Sequence, residues 1–240
     1  MTPTLPQAPH LRGTYRTRRE VITLACITLL AVGGAGCSSL SNTERGALIG
    51  VGAGSAVGAV VGSATGSTAR GAIIGAAVGG AAGAIIGSRM NNRAERLERD
   101  LDNAVIERVG EGILVTFDSG ILFGFDSSSL RAEARNNLGD LARVLAEDSD
   151  DYELLVAGHT DSSGAEAYNQ TLSERRASAA SDFIATRGIP ASHIRTQGLG
   201  EMEPLASNET SAGQQANRRV EVAIFASPEY RDEAIQQARN

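Results

Sequence analysis

Leu154-Leu155-Val156-Ala157-Gly158-His159-Thr160-Asp161 is the stretch on which the fold turns. Leu154 to Val156 form a short apolar run that reads as a buried strand, ending at the polar turn Gly158 to Asp161. Downstream, a helix is expected from about Glu166 to Arg187, with Leu172, Ala180, Phe183 and Ile184 facing inward. Two further strands follow at 194–198 and 220–224. Upstream, Leu130, Ala134, Leu138, Leu141 and Leu145 mark another helix. Before it, 113–117 and 121–123 read as a hairpin around Asp118-Ser119-Gly120. Alternating helices and strands predict an α+β sandwich over residues 111–226, with two helices on one sheet face. Ser227-Pro228 then opens a tail helix over 227–240, proline sitting where its missing N–H does no harm.

The 240 residues carry 22 basic and 28 acidic side chains, a net charge of −6, and every basic residue is Arg. No basic stripe appears, so no nucleic-acid partner is implied. No aromatic residue falls between Tyr15 and Phe117, so that long region cannot build an ordinary aromatic-bearing core. What it has instead is a repeat. Glycine recurs every fourth residue at 46, 50, 54, 58, 62 and 66 and, after Ser67-Thr68-Ala69-Arg70, at 71, 75, 79, 83 and 87. Each Gly costs an isolated helix about 1 kcal/mol relative to Ala, so the period needs a packing reason. Residues four apart share a helix face, and glycine there lets two backbones approach closely. The simplest expectation for 46–87 is a glycine-zipper helical hairpin turning at Arg70. Its uncharged segments, 47–69 and 71–88, are about 34 and 27 Å long as helices, near the thickness of a bilayer core. Insertion into or along a membrane, self-association outside it, and a Gly/Ala-rich spacer all remain open. Residues 88–110 turn charged, with Met90, Leu97, Leu101, Val105 and Val109 at near-helical spacing, and read as an amphipathic linker helix.

The N-terminus reads as an address. Arg12, Arg16, Arg18 and Arg19 precede the uncharged stretch Val21–Gly36, the basic and apolar regions of a secretory signal. Gly34-Ala35-Gly36-Cys37 resembles a bacterial lipobox, with Gly34 where Leu is usual. That resemblance implies a signal peptide over 1–36, acylation of Cys37, and a tether over 37–45. Ser38 after the Cys implies the outer membrane by the lipoprotein sorting rule. An ordinary cleaved signal that happens to contain a Cys is the alternative. Cys26 is a poorer candidate, with too little apolar sequence before it, and Arg18-Arg19 suggests a twin-arginine signal only faintly. Removing 1–36 takes away four Arg and one Glu, leaving 18 basic against 27 acidic residues, a net of −9.

Gly158-His-Thr-Asp-Ser-Ser-Gly164, Tyr168-Asn169, Leu172-Ser173-Glu-Arg-Arg176-Ala177, Gly198-Leu-Gly200, Pro204, Asn208 and Asn217-Arg218-Arg219-Val220-Glu221 together resemble the OmpA-like domain over about 110 residues. The layout of lipobox, glycine zipper and OmpA-like domain is similar to one subfamily of outer-membrane lipoproteins. The resemblance implies a βαβαββ sandwich preceded by the zipper hairpin and linker helix. It also implies non-covalent binding of peptidoglycan through the meso-diaminopimelate of its stem peptide, with Asp161 and Arg176 as the principal ligand-binding residues. The far end of diaminopimelate offers one ammonium and one carboxylate. A carboxylate for the first and a forked guanidinium for the second suit that zwitterion.

On the helix, Asn169, Ser173 and Arg176 fall on one polar stripe; for the first two a structural role stands equally open. Phe125 and Asp126 match groove-lining positions, and Arg218 and Arg219 match a signature pair, one of them structural. Gln214 stands where the family usually has a basic residue, so a third cationic contact is not implied. If Asp161 and Arg176 are only structural, Asp161 caps a turn and Arg176 pairs with Glu166 or Asp161. An enzyme would pair His159 with Asp161 as general base, or enlist His193 as a metal ligand, but no third ligand and no nucleophile accompany them. No catalytic residue, metal or cofactor is therefore implied. The partners implied are peptidoglycan, the outer membrane, and a second copy of the chain through the zipper. The rival reading makes the zipper primary, as an oligomer or membrane-remodelling element with the C-terminal domain as its anchor.

Overall fold

The computed structural model describes residues 66–147 and 151–240. The expected signal segment, Cys37, the tether and zipper residues 46–65 lie outside the described residues. Helix α1 (Thr68–Ala76) and helix α2 (Gly80–Asp100) lead into the hairpin β1 (Ala104–Val109) and β2 (Gly112–Asp118). The short helix α3 (Ser119–Leu122), α4 (Ala132–Ala146), β3 (Tyr152–Gly158), α5 (Glu166–Ala185) and β4 (Ile194–Gly198) follow. Then come α6 (Ser211–Asn217), β5 (Arg219–Ala226) and α7 (Pro228–Gln237). The five strands form one sheet in the order β1-β2-β5-β3-β4, with β3 and β4 parallel and the other neighbours antiparallel.

Strand alternation sorts the apolar residues onto two faces. Ile113, Val115 and Phe117 of β2, Leu154 and Val156 of β3, and Val220, Val222 and Ile224 of β5 form the main core. They pack with Leu138, Leu141 and Leu145 of α4 and Ala177, Ala180 and Ile184 of α5. The α+β sandwich and its two covering helices are as the sequence predicts. Ser227 caps α7, its Oγ accepting from the Tyr230 N–H at 3.2 Å, with Pro228 in the first turn.

Three elements differ from the expectation. Residues 121–123 do not pair with 113–117 as a hairpin. Both edges of β2 are taken, by β1 and β5. Asp118 instead accepts from the Gly120 N–H at 2.6 Å and starts the helical turn α3. The linker helix does not continue to 110: it ends at Asp100, and 104–109 is a strand. Finally, Arg70 is not a turn but lies inside α1. The break falls at Ala77–Gly79, where Gly79 and Gly80 adopt φ of 70° and 62°.

The described part of the zipper belongs to this domain. Ala69, Ile73 and Ala76 of α1 cover the sheet face opposite α4 and α5, against Leu114, Leu155, Ala223 and Phe225. Burying Ile73 alone is worth about 1.5–3 kcal/mol. Ala82, Ile86, Met90, Ala94 and Leu97 of α2 join the main core on the other side. No helix among the described residues is long and apolar enough to cross a membrane.

Candidate functional site

The site is set by how closely α5 approaches the ends of β3 and β4. A Cβ on Gly158 would stand 2.3 Å from the Ser173 carbonyl oxygen, and one on Gly198 2.5 Å from the Glu174 nitrogen. Only glycine allows that contact. It brings the stripe Asn169, Ser173 and Arg176, each at most 5% exposed, beneath the turn that carries Asp161.

Asp161 is itself buried. Its Oδ1 accepts from the Ser163 N–H at 2.8 Å, closing a turn, and its Oδ2 accepts from Arg218 Nη1. Burial pushes its carboxyl up, but the Ser163 amide and the Arg218 guanidinium outweigh that and hold it below the usual carboxylate range. Arg176 is buried as well, yet it pairs with neither Glu166 nor Asp161. Its Nε donates to the Ser127 carbonyl at 3.0 Å, and its guanidinium carbon lies 5.4 Å from the Phe123 ring centroid. Among the described residues, neither Nη group of Arg176 has a hydrogen-bond acceptor. Desolvation lowers its pKa, opposed by Tyr168, Asp126 and Asp161 and reinforced by Arg218. These five groups thus share one electrostatic neighbourhood.

Asn169 and Ser173 are occupied in holding loops. Asn169 Nδ2 donates to the carbonyls of Asp161 and Ser163, both at 3.2 Å, and to Glu201 Oε2 at 2.6 Å. Ser173 Oγ donates to the Gln170 carbonyl at 2.8 Å and accepts from the Gly200 N–H at 2.9 Å. At the rim, Phe125 is fully exposed, and Asp126 adopts φ of 55°, a left-handed conformation uncommon outside glycine. The Tyr168 hydroxyl donates to Asp126. Tyr168 has no role implied by the sequence beyond its place one residue before Asn169, which was the available signal.

The signature pair divides: Arg218 reaches Asp161, while Arg219 is buried against Glu221, Nε to Oε1 at 2.7 Å. Gln214 donates to the Asn208 carbonyl at 2.9 Å, bracing a loop. His159 is not brought to Asp161. Its Nε2 lies 3.7 Å from Glu221 on the α1 face of the sheet. Among the described residues no group of three or more His, Cys, Asp or Glu is placed to hold a metal ion.

The sequence model of the OmpA family matches residues 122–218, and that of the YMGG-like Gly-zipper matches residues 17–91. The outer-membrane lipoprotein YfiB of Pseudomonas aeruginosa is 43% identical over 115 residues, 48% of this chain and 67% of that protein. The chain belongs to the OmpA family. It spans little more than half of two other relatives. These are Outer membrane protein A of Bordetella avium, 42% identical over 47% of this chain and 58% of that one, and the probable lipoprotein YiaD of Escherichia coli, 38% identical over 50% and 54%. Among solved structures, the cell wall anchor of the T6SS from Pseudomonas aeruginosa superposes with a TM-score of 0.50 at 28% identity. That match covers 58% of this chain and 98% of that one. A putative MotB like protein from Desulfovibrio vulgaris, at 22% identity, shares the fold with a TM-score of 0.53 over 60% and 96%.

Proposed function

We propose that the chain is an outer-membrane lipoprotein, anchored through an acylated Cys37, that grips peptidoglycan without cleaving it and so tethers membrane to cell wall. The relatives named as an outer-membrane lipoprotein and a probable lipoprotein, and the fold shared with a cell wall anchor, support the location and the partner class. The observation that carries the site is Arg176, a buried cation whose two Nη groups are left for an acceptor from outside, next to Asp161. A carboxylate of the stem-peptide diaminopimelate would take that fork, and its ammonium would meet Asp161. Arg218 then serves two states, neutralising Asp161 in the free site and yielding to the ammonium in the bound one. A charge-assisted hydrogen bond is worth roughly 1.5–3 kcal/mol, so two of them fall short of the about 8 kcal/mol of a micromolar complex. Phe125, Asp126 and the loop amides supply the remaining contacts, and many anchored copies make weak individual binding sufficient.

The test is co-sedimentation of the purified protein with isolated sacculi. Asp161→Ala and Arg176→Ala should each weaken retention at least tenfold, and free diaminopimelate should compete. Wild-type retention by both variants would remove the site. The zipper-first alternative is less favoured, because Ala69, Ile73, Ala82 and Ile86 of the described zipper are spent on packing within the domain.

A further inference from the structure

Helix α1 is joined to the site through the sheet. Its N-terminal residues are latched by polar groups, one pair of them buried, as well as by the apolar contacts of Ile73. Ser67 Oγ lies 3.4 Å from Glu221 Oε2, and Thr68 donates to the Glu203 carboxylate from its N–H at 3.0 Å and its hydroxyl at 2.5 Å. Arg70 forms a forked pair with Glu107 of β1, at 2.5 and 2.6 Å. Under Ile73 the sheet is shaped to receive it: a Cβ on Gly112 would stand 2.4 Å from Ile73 Cγ2. Glu111, in the β1–β2 turn, accepts from the N–H groups of Val78 and Gly79 at 2.9 and 2.7 Å and holds the hinge after α1.

Both acidic latch residues are one or two steps from the ligand side. Glu221 holds Arg219, and the preceding residue, Arg218, holds Asp161. Arg219 also donates to the Glu203 carbonyl at 3.1 Å. Two residues before Glu203, Glu201 accepts from Asn169, which in turn holds the Asp161 carbonyl. Across the same junction the His159 N–H donates to the Arg219 carbonyl at 2.9 Å, and the Thr160 N–H to the Gly200 carbonyl at 2.8 Å. The two faces of the sheet therefore share one backbone junction, with α1 on one side and Asp161 on the other.

We propose that α1 is a releasable strap whose docking sets the ligand grip, with Glu203 and Glu221 as the positioning residues that carry its engagement to Asp161. The inference rests on the peptidoglycan reading for its functional consequence, and not for the structural coupling. Docked, the strap fixes the carboxylates of Glu203 and Glu221 and with them the arginine pair. Released, it takes Thr68 from the Glu203 carboxylate and Ser67 from Glu221, and the site loosens. A pull on the chain ahead of Ser67 therefore acts on binding.

The test uses the full chain, measuring amide exchange and sacculus co-sedimentation on the same preparations. Ile73→Asp is expected to free the amides of 69–76, to raise exchange at His159 and Thr160 more than tenfold, and to weaken retention at least fivefold. Ile73→Val, which keeps the docked packing, is expected to restore both. Should Ile73→Asp not fold, Thr68→Val removes the hydroxyl latch alone, and the same two amides and the retention should shift in the same direction. A freed strap with unchanged His159 and Thr160 exchange and full retention overturns the proposal. A wild-type chain that does not sediment with sacculi defeats the peptidoglycan reading instead, and the amide-exchange arm still decides the coupling.

Discussion

Arg176 and Glu221 show how differently two buried charges can be used. Arg176 keeps its fork unspent, so its replacement should act on binding far more than on folding. Arg176→Lys retains the charge and loses bidentate geometry; retention on sacculi should fall about tenfold while the melting temperature stays within a few degrees. Glu221 is wholly engaged. Burial would raise its carboxyl, but the facing His159 ring and Arg219 guanidinium hold it down to about 2, against an ordinary 4.5. A carboxylate with a depressed folded pKa adds stability that is complete above the unfolded value and is lost as pH falls to the folded one. Its contribution, on the order of 3 kcal/mol, should therefore disappear between about pH 4.5 and pH 2. Glu221→Gln should flatten the melting temperature over that window. At neutral pH it should cost about 3–5 kcal/mol, because Arg219 is left buried without its counter-charge. Thermal melts of both proteins across the window check this.

At the scale of elements, close approach matters more than length. Gly158→Val should push α5 off the end of β3, cost at least the 1–3 kcal/mol typical of overpacking, and reduce retention by displacing Ser173 and Arg176 together; a crystal structure with α5 in place would contradict it. The helices and central strands were legible because their apolar residues recur at one period only. The segment 97–109 was not, and the reason is arithmetical. Leu97, Leu101, Val105 and Val109 are four apart, a spacing that keeps one face of a helix and also one face of a strand. Gly110 and Gly112, flanking Glu111, were the turn signal that separates the two. Asp118 misled in the same way: a turn-former opened a helical turn and not a hairpin.

At the scale of the whole molecule, the domain is larger than the family match. That match begins at 122, while among the described residues the packing already includes Ser67, inside the zipper match. Asp161 and Arg176 stood out through the motifs around them, which resemble the OmpA-like domain. The docking of α1 could not be read, since a glycine repeat states that something packs closely without stating what. If Cys37 carries the lipid, Cys37→Ser should abolish labelling by a clickable fatty acid and move the protein out of the membrane fraction; persistent labelling would place the acyl chain elsewhere.

The way α1 lies on the sheet also fixes how the molecule bears load. A force arriving through residue 66 meets Ser67, then Ala69, then Ile73, then Ala76, one helical turn after another, while the strands beneath stay paired. Contacts engaged in series yield by peeling, at lower force than strands sheared all at once. Single-molecule stretching from the N-terminal side should show an early, reversible lengthening of roughly 20–25 Å, the extended span of about a dozen residues less their helical span, before the sheet ruptures. Such an element gives the chain slack before the sheet itself is put under strain.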